Sequence, residues 1–354
     1  MSRSTSLACL ALAFLIIPCV GCDTTPDPDT GTTGSETNNS GEASAKIEKI
    51  RIGTWNLEHF GQRDKFQDRA NAPKNRTPEQ VKAIAKFITN MAVDVLALQE
   101  IGGPEPLQDL LQHLGGDYRF VLGTTGIYGE TRISVGFLWN SKRVELLQCE
   151  EMSDFPRKVG ALSVFHRKPV NAVFRVVGGG MDFRAITVHL KASRGSKNEA
   201  KRKAEVTVLR EYIAKLQESD GEDADIVVLG DFNHTFGAPA HDAFVSDDLV
   251  VYAKAEATAA IPSPTIVWFD EPIDQIALTK GVRGEVVPAS LSIHNQHGEY
   301  TEASKDKITP IELQWRVNYS DHYPVTIDLS AGVDNDPKAT FAKPGHSLPV
   351  VGAR

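Results

Sequence analysis

The chain has 354 residues, of which 41% are hydrophobic and 24% are charged, and its formal net charge is −8. These proportions are typical of a globular protein with a deep core and exclude a mainly disordered or fibrous chain. A moderately acidic protein is not a general binder of polyanions, so any contact with nucleic acid must come from a local basic patch.

The first 22 residues have the layout of an export signal. Arg3 precedes an apolar run that is short for a membrane-spanning helix. The run ends in Cys19-Val20-Gly21-Cys22, which resembles the bacterial lipobox, where the cysteine after a small residue is lipidated and becomes the mature N-terminus. Two alternatives stay open, a lipoprotein anchored to the membrane through Cys22 and an ordinary cleaved signal peptide. In either case we expect an exported protein.

The composition predicts one folded domain between two looser segments. Residues 23–45 contain no aromatic and no basic residue, so they are predicted to be a disordered tether. Residues 331–354, with three prolines among small residues, are predicted to be a loosely ordered tail. Residues 46–330 form one domain in this interpretation, because no polar linker interrupts them. Three of the four cysteines lie in the first 22 residues, so no disulfide framework is available and Cys149 is predicted to be a core residue.

The first two predicted strands end in polar residues. Residues 50–57 alternate as a strand does and lead to Asn56 and Glu58, two positions apart and therefore on one face. Thr77-Pro78-Glu79-Gln80 is a capping box that opens a helix reaching about Asn90. Residues 93–98 form a buried strand that leads into Glu100. A carboxylate at the edge of an apolar core needs a partner or a metal, although a solvent-exposed strand end is the alternative.

The middle of the chain predicts strands that pair with their neighbours. Runs at 118–123, 133–140, 144–149, 161–165 and 172–177 follow one another without helices, which favours antiparallel pairing. A loop between two of them presents Arg157. Residues 183–190 are a further strand, which ends near His189.

A basic run follows this strand and enters a helix that reaches about Gln217. It consists of Lys191, Arg194, Lys197, Lys201, Arg202 and Lys203. A run of charges on a helix is typical of a solvated face. Cations at the start of a helix oppose its dipole unless an anion lies there, so a phosphate site is the alternative that this run indicates.

The segment Asp225-Ile226-Val227-Val228-Leu229-Gly230-Asp231-Phe232-Asn233-His234 is the most informative stretch. Four apolar residues predict a strand buried on both faces, and Gly230 lets the backbone turn at its end. Asp231 and Asn233 then lie side by side while Phe232 points into the core. Taken alone, the stretch is also compatible with an Asx-type turn.

Each of six apolar strands ends in one or two polar residues of the types that bind metals or transfer protons. These residues are Asn56, Glu100, His189, Asp231 with Asn233, Asp274, and Asp321 with His322. If the six strand ends converge, oxygen ligands without thiolates predict a site for Mg²⁺ or Mn²⁺, with Ca²⁺ also possible. Two histidines beside carboxylates can supply acid, base and charge stabilisation.

Taken in order, six motifs resemble the endonuclease/exonuclease/phosphatase superfamily, the deoxyribonuclease I and exonuclease III group. They are Trp-Asn-Leu, Leu-Gln-Glu, Val-His-Leu, Gly-Asp-Phe-Asn, Ile-Asp-Gln-Ile and Ser-Asp-His, and they cover residues 48 to 330. The resemblance implies an α/β fold in which a two-sheet β-sandwich is flanked by helices, with the site at one rim. It also implies a phosphoester hydrolase that depends on a divalent metal.

The resemblance assigns a role to each of these residues. Glu100 looks like the principal metal ligand, with Asn56 beside it, Asp321 near the metal and Glu58 as a further candidate. Asp231 and Asn233 would orient or deprotonate the attacking water and hold the phosphate. His322, oriented by Asp274, would contact the phosphoryl oxygens. His189 would stand on the leaving-group side, with Glu130 as the nearest candidate partner, and Arg157 falls where the family often has Arg or Tyr.

The motifs leave the substrate open. The basic run favours a nuclease that acts on DNA or RNA. A phospholipid phosphodiesterase of the sphingomyelinase type and an inositol or phospholipid phosphatase are the alternatives, and a surface binding protein without turnover is a further one. The interpretation includes nucleic acid as substrate and a membrane contact through the lipid on Cys22, and no protein partner is predicted.

Overall fold

A computed structural model describes residues 46–66, 74–124, 126–128, 131–219, 222–245, 250–252, 264–268, 272–295, 309–332, 334 and 348–352. The predicted signal, the predicted tether and Glu130 lie outside these residues. Within the described ranges, the helices are too short or too polar to cross a bilayer.

The first sheet has seven strands and contains both ends of the described chain. In spatial order its strands are β15 (Ser292–Ile293), β16 (Val325–Ser330), β1 (Lys49–Phe60), β2 (Val95–Ile101), β6 (Ser134–Asn140), β3 (Tyr118–Leu122) and β17 (Val351–Gly352). Strands β1 and β2 run parallel, while β16 and β6 flank them in the antiparallel direction. The carboxyl ends of β1 and β2 therefore meet at one edge of this sheet.

The second sheet has six strands and is also mixed. In spatial order they are β13 (Val250–Tyr252), β14 (Asp274–Thr279), β12 (Ile226–Asp231), β11 (Asp182–His189), β10 (Val170–Val176) and β7 (Val144–Glu151). Strands β11 and β12 are parallel, so His189 and Asp231 emerge at the same edge. Two small hairpins complete the strands, β4 (Ile127–Tyr128) with β5 (Thr131–Arg132) and β8 (Lys158–Val159) with β9 (Leu162–Ser163).

Six α-helices and one short 3-10 helix are present in the described ranges. They are α1 (Pro78–Met91), α2 (Pro104–Leu114), α3 (Ser196–Gln217), α4 (Pro239–Phe244), α5 (Lys280–Arg283), α6 (Pro310–Asn318) and the 3-10 helix Arg63–Phe66. The capping box predicted at Thr77 is present, with the Thr77 side chain accepting from the Gln80 backbone N–H and the Gln80 side chain returning to the Thr77 backbone. Thr309 and Glu312 form a second capping box at the start of α6.

The core consists of three apolar layers, which makes the fold a sandwich. One cluster, which includes Phe137 and Phe174, lies between the sheets. A second cluster joins the outer face of the first sheet to α1 and α2, and a third joins the outer face of the second sheet to α3 and α4. Strand β12 shows why both faces are buried, because Val227 and Leu229 belong to the inner cluster while Ile226 and Val228 belong to the outer one. The predicted helix-flanked, two-sheet β-sandwich is confirmed.

Two predicted segments differ from what the structure shows. The strand expected at 161–165 is reduced to the two residues of β9, because Phe165 has a left-handed backbone (φ 46°) that ends the extended run. Part of the segment predicted as a loose tail joins the first sheet, since Val351 pairs with Phe120 and Leu348 is buried.

Candidate active site

One rim of the sandwich collects the polar residues that follow the strands. In the second sheet His189 pairs with Asp231, and Asp231 pairs with Asp274, so the three residues form one row. All three are buried. His189 Nε2 lies 3.4 Å from Asp231 Oδ2. Strand register alone thus places an imidazole and two carboxylates together.

Bulges at the ends of β1 and β2 bring the first sheet to the same place. The β1–β2 register shifts between Asn56 and Phe60, and Glu58 and His59 have left-handed backbones (φ 43° and 50°). The β2–β6 register shifts between Leu98 and Ile101, and Glu100 also has a positive φ of 60°. Such conformations are costly for residues other than glycine and cluster at functional sites. Here they turn polar side chains toward the rim.

His322 and Asp274 form a buried pair. His322 Nδ1 lies 2.7 Å from Asp274 Oδ2, while Nε2 points toward Asp231 Oδ2 at 3.9 Å and Asp321 Oδ1 at 3.8 Å. Burial alone would lower the pKa of His322, but the surrounding carboxylates outweigh it and hold the pKa well above its ordinary value. The pair therefore holds an imidazolium whose free edge faces the other carboxylates.

Asp231 is oriented by two hydrogen bonds and lies at the centre of the site. Asn56 Nδ2 donates to Asp231 Oδ2 at 3.1 Å, and the Asn233 backbone N–H donates to Oδ1 at 2.9 Å. Burial is the main cause that raises the Asp231 pKa to about 7, and Asp274 and Glu100 add to it. A carboxyl group with such a pKa can accept a proton near neutral pH. Asn233 has a φ of 52° and donates from Nδ2 to the Leu190 carbonyl at 3.3 Å.

His189 differs from His322 in its charge. Burial lowers the pKa of His189 well below its ordinary value, and the neighbouring cations Arg167, His322 and His59 act in the same direction. We therefore expect a neutral imidazole here and a charged one at His322. The candidate partner Glu130 lies outside the described residues, so its pairing with His189 stays a prediction.

Glu58 takes part in a network that the sequence did not reveal. Arg63 Nη2 donates to Glu58 Oε2 at 2.7 Å, and Arg316 Nε donates to Oε1 at 2.7 Å. Arg316 also lies 4.5 Å from the Trp268 ring centre. The geometry thus places Glu58 in an ion-pair network at the cavity wall, and its role as a metal ligand stays a prediction.

Arg167 lines the cavity together with Arg63 and Arg316, whereas Arg157 is exposed and is not among the lining residues. Arg167 donates from Nε and Nη2 to the carbonyls of His189 and Leu190, at 3.3 and 3.1 Å. The structure therefore does not support the assignment of Arg157.

The basic run is only partly available to a ligand. Lys191 lines the cavity, and Lys201 is close enough to help lower the pKa of His166, another lining residue. Arg202, in contrast, is buried and donates to the carbonyls of Lys191 and Ser193, at 2.8 Å each. The prediction that Arg202 contacts a phosphate backbone is therefore wrong, because its guanidinium is occupied inside the fold.

The cavity at this rim has a volume of about 410 Å³ and offers hard oxygen ligands. Glu100 and Asp321 line it, and Asp321 Oδ1 is buried with no hydrogen-bond donor among the described residues. Glu100 Oε2 accepts from the His59 backbone N–H at 3.1 Å, and Oε1 lies 3.7 Å from His189 Nε2. This donor set fits a cation such as Mg²⁺ or Mn²⁺. Asn56 is fully buried and its amide is engaged, so in this arrangement it acts through Asp231.

Asp231, Asp274 and His322 bring potential ligand atoms within 4.8 Å of one another. The 2.7 Å contact between His322 Nδ1 and Asp274 Oδ2 already engages one of these atoms in each residue.

Two sheets thus bring two histidines and several carboxylates to one rim, an arrangement suited to acid–base and charge-stabilising chemistry. Residues 53–322 match the model of the Endonuclease/Exonuclease/phosphatase family, and the chain belongs to that family. Its members are hydrolases that act on phosphoester bonds.

The relatives agree with this class. A protein of Thioalkalivibrio sp. (strain K90mix) named deoxyribonuclease is 30% identical over 214 residues, which are 57% of this chain and 50% of that protein. The match thus spans about half the length of that relative. A family protein from Bacteroides thetaiotaomicron is 17% identical with a TM-score of 0.55, over 79% of this chain and 94% of the other. The human Nocturnin catalytic domain with bound sulfate is 18% identical with a TM-score of 0.55, over 81% and 96%. These two structures show the shared fold.

Proposed function

We propose that the protein is an exported, divalent-metal-dependent phosphodiesterase that cleaves nucleic acid. The observation that carries this proposal is the arrangement around Asp231, with the His322–Asp274 pair on one side and His189 and Glu100 on the other, in one cavity. The deoxyribonuclease relative and the cations at the cavity support a nucleic acid as the substrate.

In this proposal each residue acts on a defined part of the phosphodiester. Asp231 accepts a proton from the attacking water, and Asn233 holds that water and the phosphate in line. The imidazolium of His322 donates to a phosphoryl oxygen and stabilises its developing charge, while Asp274 keeps the ring in place. His189 stands on the leaving-group side. The water oxygen bonds to phosphorus as the bond between phosphorus and the leaving oxygen breaks. The leaving oxygen takes up a proton from solvent, and Asp231 releases to solvent the proton that it accepted.

Glu100 and Asp321 are the side chains that would hold the cation in this proposal. A bound divalent cation would supply further charge stabilisation for the phosphate or the leaving oxygen. The residues described above would bind and orient the substrate around it.

A substrate panel tests this function. The purified protein, with Mg²⁺ or Mn²⁺, is offered plasmid DNA, single-stranded DNA, RNA, sphingomyelin and inositol phosphates. We expect DNA or RNA to be cut, and His322→Ala to abolish cutting. His113→Ala, which changes an exposed histidine on α2, is the control and should retain full activity. Turnover of sphingomyelin or inositol phosphates alone would favour the phospholipid or inositol alternative.

Export and lipid anchoring form a separate part of the proposal. The observation that supports it is Cys22, which follows a small residue and precedes a tether without basic residues. Cys22→Ser should move the protein from the membrane fraction to the soluble fraction. Equal membrane retention of both proteins would contradict the lipoprotein interpretation.

A further inference from the structure

Helix α3 buries two charged residues beside the segment that follows β11, and the ion-pair partner of Arg202 is Glu199, at 2.7 Å between Nη2 and Oε2. Glu205 is 2% exposed and Arg202 is 5% exposed, and they lie three residues apart on the helix. Apolar side chains of the same helix, Val206, Leu209 and Ile213, already attach it to the second sheet. Burying a carboxylate and a guanidinium as well is costly, so their contacts call for a reason beyond helix attachment.

Both residues bind backbone groups next to proposed active-site residues. Glu205 Oε1 accepts from the Phe165 N–H at 2.9 Å, and Oε2 accepts from the Lys191 N–H at 3.0 Å. Arg202 Nη1 donates to the Lys191 carbonyl at 2.8 Å. The peptide groups on both sides of Lys191 are thus held by one turn of α3.

The two segments held in this way are also joined to each other. Phe165 comes two residues before Arg167, and Lys191 comes two residues after His189. Arg167 closes the ring by donating to the carbonyls of His189 and Leu190. Phe165 has a left-handed backbone, which an acceptor on its N–H helps to maintain. A shift of Glu205 would therefore move His189 and Arg167 together.

We propose that Glu205 and Arg202 form a backbone clamp that positions His189 and Arg167 in the active site. Glu205 is a positioning residue in this proposal, because it contacts neither the cavity nor the reacting atoms. The proposal rests on the proposed function in so far as His189 acts in phosphoester hydrolysis.

The principal variant is Glu205→Gln, which keeps the shape but replaces one of the two acceptor oxygens with an amide NH2 group. An amide NH2 group donates and cannot accept from a backbone N–H, so one of the two contacts is lost. Glu211→Gln is the matched control, since Glu211 lies on the same helix and is exposed. If Glu205→Gln leaves the chain unfolded at the assay temperature, Arg202→Lys is the second variant, because it retains the charge but cannot make the same set of contacts.

The first measurement is amide hydrogen exchange of residues 189–193 in the full chain. We expect the Lys191 amide to exchange about tenfold or more faster in Glu205→Gln than in wild type, and Glu211→Gln to leave it unchanged. Unchanged exchange at Lys191 in a folded Glu205→Gln protein would overturn the clamp. The exchange measurement needs no enzymatic turnover. It therefore tests the clamp even if the wild-type protein does not cut DNA.

The second measurement is a double-mutant cycle on plasmid cleavage with Mg²⁺ or Mn²⁺. Glu205→Gln should lower kcat about 10- to 100-fold with little change in KM, because a misplacement of about 1 Å has an effect of this size. In the His189→Ala background the same change should cost less than in wild type, and the loss that remains reports the displacement of Arg167. Losses that multiply in full would show that Glu205 does not act through His189, which contradicts the proposed positioning. A His189→Ala protein with full activity would instead refute the proposed role of His189 in hydrolysis, whereas a wild-type protein that does not cut DNA would count against the proposed function.

Discussion

The buried pair of Asp274 and His322 makes the sharpest prediction about turnover. Asp274→Asn keeps the size of the side chain and removes the charge that faces His322 Nδ1 at 2.7 Å. A hydrogen bond between ionised groups in a buried site contributes about 1.5–3 kcal/mol, and each 1.4 kcal/mol corresponds to a tenfold change in rate. We therefore expect kcat to fall about 10- to 100-fold, while KM changes little because Asp274 does not line the cavity.

The assay is steady-state cleavage of a fluorescent oligonucleotide at a temperature well below the Tm of each variant. Asp328→Asn is the matched control, since it removes a buried carboxylate of β16 that binds Arg51 Nε at 2.6 Å. It should lower stability and leave kcat unchanged. A folded Asp274→Asn protein whose kcat lies within about threefold of wild type would refute the reasoning.

Three further predictions concern metal binding, DNA binding and the core. Glu100→Gln should weaken the binding of Mn²⁺ about tenfold or more, because a charged ligand is lost, and calorimetry measures this affinity. An unchanged affinity would exclude Glu100 as a ligand. Lys201→Ala should lower the slope of the logarithm of DNA affinity against the logarithm of salt concentration by about one. Lys215→Ala, at the far end of α3, is the control and should leave this slope unaltered. Equal slopes for both variants would show that Lys201 does not contact DNA. Burial raises the pKa of Cys149 to about 12, so in a chain whose other cysteines are serine this thiol should resist a disulfide reagent until the protein unfolds. Rapid labelling of the native protein would show that the strand carrying Cys149 opens.

The sequence predicted the position of a side chain best where that position depends only on the strand that carries the residue. Asp231 follows four apolar residues that pack alternately on both faces of one sheet, and this pattern is local. Asp274 and His189 reach the same row through register with Asp231, which the resemblance to the family supplied and periodicity could not. The convergence of the strand ends was therefore predicted through the motifs, and the structure gives it distances.

The residues that sequence reasoning missed are placed by tertiary contacts. Arg63 lies on a 3-10 helix and Arg316 on α6, and they meet at Glu58 although 253 residues separate Arg63 from Arg316. Arg202 belongs to a run of cations that looks uniformly solvated in the sequence. Only the packing of α3 against the segment after β11 shows that its guanidinium is buried. The bulge at Glu100 was equally hidden, because a left-handed glutamate has no local sequence signal.

The last prediction concerns acid sensitivity and His234, which follows the proposed active-site residue Asn233. His234 is 3% exposed, and burial is the first cause that lowers its pKa to about 3, with His241 and Arg202 acting in the same direction. The ordinary pKa of an unfolded histidine is about 6.5. The folded state thus favours the neutral ring, and below about pH 6.5 the unfolded chain binds one more proton at this position than the folded chain. The stability that the neutral ring contributes is complete above that pH, and it is lost by about 1.4 kcal/mol per pH unit as the pH falls toward 3.

His234→Gln removes this proton-linked term while other titrating groups remain in both proteins. Urea unfolding at pH 8, 6, 5 and 4 should therefore show that the variant loses less stability on acidification than the wild type. The difference between the two free energies of unfolding should change by about 2 to 3 kcal/mol between pH 6 and pH 4 in favour of the variant. A difference that stays constant over this range would mean that His234 is protonated in the folded protein, and that the segment after Asn233 opens to water at low pH.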